Sequence, residues 1–248
     1  LSVSVRLGNL ESVESEESRS AGLRVLIGKK QAGASTSDFS IAALDALAER
    51  VVAMAKAAAE DPWCGLPDEA ELATNIVDLE LWDETEADIA DLEARALESE
   101  AAALGLEGIT NSGGSGAEWG ASQVVYGASN GFRGGYRGTS WGLGLSAIAE
   151  LGDHKERDWD SDSSRFLKDL KASAVIGRNA GERTLARLGA TKLESCVAPV
   201  IFENRVASRL ISFFLSGISG ASVARGVSFL RDKLNQQVFA SNIQITDN

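Results

Sequence analysis

Fourteen of the chain's 25 glycines fall between Gly105 and Gly152, and that concentration rules out a long helix there. Each glycine inside a helix costs roughly 1 kcal/mol relative to alanine, whereas strands and tight turns absorb it more readily. The residues between the glycines alternate apolar and polar, which is the period of a strand. Gln123–Tyr126, Phe132–Arg137, Ser140–Ile148 and Lys155–Trp159 are therefore predicted as successive strands. Asn130-Gly131 is a two-residue hairpin signal, because a type I′ turn needs positive φ at both positions, and Gly152-Asp153 is a second, weaker one. An antiparallel meander results, entered through the Gly/Ser run Asn111–Gly116, which is expected to be a flexible lead-in.

Before this region, Val3, Val5 and Leu7 alternate with polar neighbours, Gly8-Asn9 offers a turn, and Val13 resumes the alternation. Leu23–Ile27 is another strand, stopped by Gly28. From Asp38 to Glu60 the period changes: Ile41, Leu44, Leu47, Ala48, Val51 and Ala55 share a helical face, and Asp61-Pro62 ends the run. A second helix is predicted from Thr85, where Thr85-x-x-Asp88 has the form of a capping box and Gly105 is the stop. After the meander, Arg165–Leu188 returns to helical spacing and Val197–Phe202 reads as a short strand. Val206–Ile218 carries Leu210, Ile211, Phe213, Phe214 and Leu215, apolar on most sides, and is predicted to be a structural helix packed in the domain core or at a partner interface. The fold class is α+β: an N-terminal sheet with helices, then an antiparallel β-rich domain with flanking helices. The expected domains are 1–107, 108–192 and 193–248, the last being the start of a truncated C-terminal domain.

Charge excludes some functions. Lys and Arg total 24 against 36 Asp and Glu, a net charge of −12. Residues 60–100 hold 15 acids and one base, Arg95, so this segment carries −14 and the rest +2. A phosphate-backbone grip needs clustered cations, so nucleic acid is not an expected partner. No run approaches ~18 apolar residues, so no membrane helix is expected. Cys64 and Cys196 stand 132 positions apart in no metal-binding spacing, and no secretory leader opens the chain; a reducing cytoplasm is expected. The only methionine is Met54, so the natural protein is expected to extend further.

The chemistry-bearing motifs are few. A single histidine, His154, lies in a charged turn, and zinc helices of the HExxH or HExxxH kind need two imidazoles. Gly142-x-Gly144-x-x-Ala147 matches a dinucleotide fingerprint by its letters but lies in a strand pattern. Asp158, Asp160, Asp162 and Asp169 mimic a calcium loop, yet Ser163 stands where the loop's sharp turn needs glycine. Asn111–Gly116 has the composition of an anion nest without a following lysine. Each is expected to be structural or solvated.

Six stretches in order carry a resemblance: Ser2–Arg6, Gly33–Asp38, Ile109–Gly114, Glu156–Trp159, Ala198–Asn204, and Gly217–Val223 preceding Ser228-Phe229-Leu230. Together they resemble the TldD/PmbA metalloprotease family, formerly described as modulators of DNA gyrase, on the side of its PmbA-like (TldE-like) members. The resemblance implies a cytoplasmic protein in which TldD-like and PmbA-like subunits pair into a metallopeptidase. Such an enzyme degrades unfolded or small peptides and matures peptide antibiotics. TldD-like members carry HExxxH on the helix leading into the Gly-rich segment before Ser228-Phe229-Leu230. Here the corresponding positions are approximately Ile211, Ser212 and Ser216, none of which can bind zinc or act as a base. No catalytic, cofactor-binding or metal-ligating residue is therefore expected in this chain, and zinc is expected in a TldD-like partner. The implied partners are that subunit and peptide substrates, with self-association left open. The alternative is a non-enzymatic adaptor or regulator that binds a protein partner.

Overall fold

The computed structural model describes residues 1–246, which form two compact units, Leu1–Thr191 and the described residues from Lys192 onward. The first unit runs β1 (Ser2–Arg6), β2 (Asn9–Glu14), β3 (Ala21–Ile27), β4 (Lys30–Thr36), α1 (Ile41–Ala57), α2 (Ile89–Leu104), β5 (Ile109–Gly127), β6 (Arg133–Leu151), β7 (His154–Ser164) and α3 (Ser173–Arg187). The second holds α4 (Asn204–Ile218) and α5 (Gly220–Ala224). The architecture is α+β with antiparallel sheets, as the sequence predicts. The main sheet has the order β2-β1-β5-β6-β7, and β3-β4 is a separate hairpin covered by α1 through Leu47, Val51 and Ala55.

Alternation along the main sheet decides its two faces. Val3, Val5, Ala117, Trp141 and Leu143 point to one side and pack with Leu92 and Ala96 of α2 and Ile176 of α3. Leu145, Ala147 and Ala149 continue that layer against Ala103 and Ala180. The opposite face is small and polar: Ser2, Ser4, Gly116, Gly142, Gly144 and Ser161 line an open depression of about 730 Å³.

The glycine-rich region is more regular than expected. Two expected strands, Phe132–Arg137 and Ser140–Ile148, are one 19-residue strand, β6, because β5 pairs with it without a break from Gly127↔Arg133 to Ser115↔Leu145. The run Asn111–Gly116, expected to be flexible, lies inside β5 with register shifts at Asn111 and between Ser112 and Ser115. Pairing to β1 on one side and β6 on the other orders the backbone there. A Cβ at Gly113 would stand 3.1 Å from Ser146 Cβ, so the run provides close approach and not slack. The hairpin at Asn130-Gly131 also differs. Ala128 N–H donates to Phe132 O, leaving a three-residue loop in which Gly131 alone has positive φ (+93°).

The first turn is shifted by one residue from Gly8-Asn9. Arg6 pairs with Asn9, so Leu7 (φ +50°) and Gly8 (φ +74°) form the turn. Positive φ is costly for leucine. The buried carboxylate of Glu100 on α2 offsets that cost, accepting from Leu7 N (2.9 Å) and Gly8 N (2.8 Å). Other boundaries move for local reasons. The cap of α2 is Asp88, accepting from Asp91 N, with the helix starting at Ile89 and not at Thr85. Helix α3 starts at Ser173, not Arg165, because β7 continues to Ser164 and a 3-10 turn occupies Leu167–Asp169. Val197–Phe202 has no partner strand and forms none.

The segment Leu81–Thr85 forms a strap at the end of β7. Thr139 N–H donates to Leu81 O (2.9 Å), and Thr139 Oγ1 donates to Arg165 O (2.9 Å) while accepting from Asp83 N (2.9 Å). The Asp83 carboxylate closes the arrangement by accepting from Leu167 N (2.7 Å) and Thr85 N (3.0 Å). Those two N–H donors, Leu167 first, hold the Asp83 carboxyl below its ordinary value. A depressed carboxylate contributes its full share of stability above the ordinary value, ~3.9, and loses it as the pH falls through the lowered one. The Leu167 amide resonance is therefore expected to stay fixed from pH 7 to about 5 and to move only below about 4. In Asp83→Asn that acid step should vanish; an unchanged step would place its origin elsewhere.

Candidate functional site

Helix α4 carries Ile211, Ser212 and Ser216, the positions that the resemblance leads one to expect near the family's metal motif. Ser212 Oγ donates to Ser208 O (3.2 Å) and Ser216 Oγ to Ser212 O (2.9 Å), so both hydroxyls are spent on the helix's own carbonyls. Ile211 is 41% exposed and offers no donor atom. A zinc ion does not fit this set, which lacks imidazole, thiolate and carboxylate alike.

Of the two expectations for this helix, packing in the core of its own domain is corrected. Phe213 is 64% exposed, and Leu210, Leu215 and Ile218 are each about half exposed. Within its own unit α4 has too little to pack against: Phe213 stacks on Phe229 at 5.0 Å and Phe214 meets Phe239 edge-on at 5.0 Å. Only Gly217 is buried, with Ser228 Oγ hydrogen-bonded to its carbonyl. A helix apolar on most sides needs cover on most sides, and a unit this small provides it on one.

His154 is exposed at the start of β7, beyond the two-residue turn Gly152-Asp153. Asp158, Asp160 and Asp162 alternate along β7 toward α3 and form no loop. Asp160 accepts from Asn179 Nδ2 (2.9 Å) and pairs with Arg183, and Asp162 accepts from Lys171 N (2.9 Å). Their carboxylates serve sheet–helix packing. The Gly142–Ala147 fingerprint lies wholly within β6, as read from its alternation. Cys64 is buried, Cys196 exposed, and neither is in a disulfide. Among the described residues no three His, Cys, Asp or Glu side chains gather so as to hold a metal ion. No helix of the described residues is long and apolar enough to cross a membrane.

One large concave feature of the first unit was not legible in the sequence. Beyond the strap, β5 and β6 run on as a two-stranded ribbon, and the segment Ile76–Leu81 passes beside it, leaving an open cleft of about 1220 Å³. Val124, Tyr126 and Tyr136 share the ribbon face that looks into it. Trp82 and Arg137 close one end: the guanidinium lies 4.4 Å over the indole ring and its Nη2 is 2.9 Å from Glu84 Oε1. The available signal was Tyr126, Phe132 and Tyr136 gathered around one hairpin turn. Ile76–Leu81, however, read only as an acidic connection.

The first unit is an antiparallel sheet backed by two helices, and the segment that follows it is α-helical. Three models of one family cover most of the chain: PmbA/TldA metallopeptidase domain 1 over residues 1–55, the central domain over 81–188, and the C-terminal domain over 195–248. The chain belongs to this family, the PmbA/TldD metallopeptidases. It is 36% identical to the metalloprotease PmbA homolog of Haemophilus influenzae and 32% identical to metalloprotease PmbA of Escherichia coli O157:H7, in each case over all of this chain and 55% of the relative. The chain thus spans about half the length of these curated relatives. Its fold is that of a Thermotoga maritima protein described as a modulator of a DNA gyrase, with a TM-score of 0.82 at 17% identity over 95% of this chain and 53% of that one. TldE from Thermococcus kodakarensis matches with a TM-score of 0.73 at 17% identity over 94% of this chain and 52% of that one.

Proposed function

We propose that this chain is part of a PmbA/TldE-like, metal-free subunit that pairs with a TldD-like subunit to make a metallopeptidase acting on peptides and unfolded or small proteins. One observation supports the reading: helix α4, which on this proposal stands at the metal motif's place, presents Ile211, Ser212 and Ser216, with both serine hydroxyls bonded to the helix backbone. Catalysis then requires zinc from the partner, where it would act as Lewis acid and generator of hydroxide. This subunit's contribution is to bind and shape. The exposed apolar side chains of α4, Phe213 and Leu215 among them, support the reading that this helix is covered in the assembly. A cytoplasmic setting, and the division into segments 1–107, 108–192 and 193–248, belong to the same proposal. The test is reconstitution: peptide hydrolysis and bound zinc measured for this protein alone, for a TldD-like subunit alone, and for the two together. Hydrolysis confined to preparations containing the TldD-like subunit is the expected result.

A further inference from the structure

We propose that the cleft beside the β5–β6 ribbon binds an extended peptide, apolar at alternate positions and bearing basic side chains, by adding it as a strand to the free edge of β6. The backbone geometry is the first argument. Thr139 directs its N–H away from β5, to Leu81 O. By the two-residue period, Arg137 and Gly135 direct their N–H and C=O groups to that same side. Strand β7 pairs with β6 only as far as Trp141↔Ser164, so it does not reach this edge. Among the described residues no backbone hydrogen bond joins Arg137 or Gly135 to anything on that side. Unpaired edge groups are templates for another chain.

The edge opens into the cleft, where Gly135 and Arg137 are themselves lining residues. The segment that would otherwise cover the edge stays off it between two anchor points. Ile76 Cδ1 stands 3.0 Å from where a Cβ at Gly134 would be, and Leu81 O takes the Thr139 N–H. Between these points the cleft is open, with Ile76 and Leu79 on one wall and Val124, Tyr126 and Tyr136 on the other. A strand laid along β6 sends alternate side chains toward that apolar wall. Charge selects the rest of the ligand. Asp78, Glu80, Glu84 and Asp169 border the cleft against two cations, Arg137 and Lys168. Arg137 already faces Glu84 and the Trp82 ring, and Lys168 lies over the Phe166 ring at 5.3 Å. The remaining acidic excess favours lysine or arginine on the peptide. This site goes beyond the subunit assignment, and because binding is read on this chain directly, it stands or falls apart from any hydrolysis assay.

The experiment is fluorescence anisotropy with a fluorescein-labelled probe of sequence Lys-Val-Thr-Val-Lys-Val-Thr-amide. Two counterparts accompany it, one N-methylated at alternate residues on the pairing edge and one with glutamate for lysine. The protein is compared with Val124→Ser, which alters the cleft wall, and with Val125→Ser, its neighbour on the opposite ribbon face at 79% exposure. Saturable binding of the plain probe is expected, weakened by ~10-fold or more on N-methylation, which removes edge hydrogen bonds. The acidic probe and Val124→Ser are also expected to weaken binding, while Val125→Ser leaves it unchanged. The methylated probe leaves the protein untouched, so a folding defect cannot imitate its effect. Equal binding of methylated and plain probes, no saturation by the plain probe, tighter binding of the acidic one, or equal losses in the two valine variants would each overturn the proposal.

Discussion

Replacing Gly177 by alanine is expected to destabilise the protein by about 3 kcal/mol or more, at or above the upper end for overpacking a core. A Cβ there would stand 1.9 Å from Ser99 O and 3.0 Å from Ala102 Cβ. The nearest atom is backbone, in the middle of α2, so no side-chain rotation relieves the clash and the two helices must separate. Ser173, Gly177 and Gly181, spaced by four, form the buried seam of α3 against α2, while Ile176 and Ala180 lie on the sheet. Separating the helices would therefore loosen both core layers at once. In a helix otherwise free of constraint, Gly→Ala is stabilising by about 1 kcal/mol, so even the sign of the effect is diagnostic. Urea unfolding checks it: an unchanged or raised midpoint would mean that α2 and α3 do not cross this closely.

Trp141→Ala is expected to cost about 3–5 kcal/mol, the range for emptying a buried large aromatic site. Trp141 is 2% exposed, packs in the same cluster as Val3, Leu92 and Ile176, and meets Trp119 edge-on with centroids 6.4 Å apart. Since a domain's whole stability is about 5–15 kcal/mol, this change should take a large part of it. Trp63→Ala, removing an indole that is 92% exposed, should stay within about 0.5 kcal/mol. Equal midpoints for the two variants would contradict the placement of the core.

Those two tryptophans show where sequence reading reaches its limit. The alternation around Trp141 was readable, and so were the strand, the antiparallel neighbours and the α+β class. Helical spacing gave α1, α2 and α4 to within a few residues, because local periodicity is set by the residues themselves. Pairing partners are a different matter. That β1 would join β5, and that β6 would run unbroken through Gly134, Gly135 and Gly138, depends on contacts between distant parts of the chain. The seam of α3 was hidden for the same reason: Ser173, Gly177 and Gly181 look like poor helix formers until α2 lies against them. The family was legible from six short stretches in register along the chain. The exposure of α4 was not, since apolar content reports what a helix would bury and not what is present to bury it. The cleft was missed because one of its walls, Ile76–Leu81, has no periodicity to read.

The most direct test of the account is chelator-sensitive peptide hydrolysis, measured together with zinc content, on this protein alone and after mixing with a TldD-like subunit that carries an intact HExxxH motif. The account predicts no hydrolysis and no stoichiometric zinc for this protein alone, with chelator-sensitive hydrolysis only when the TldD-like subunit is present and stronger in the mixture than with that subunit by itself. Robust chelator-sensitive hydrolysis by this protein alone, or one-to-one zinc lost on His154→Ala, would contradict it.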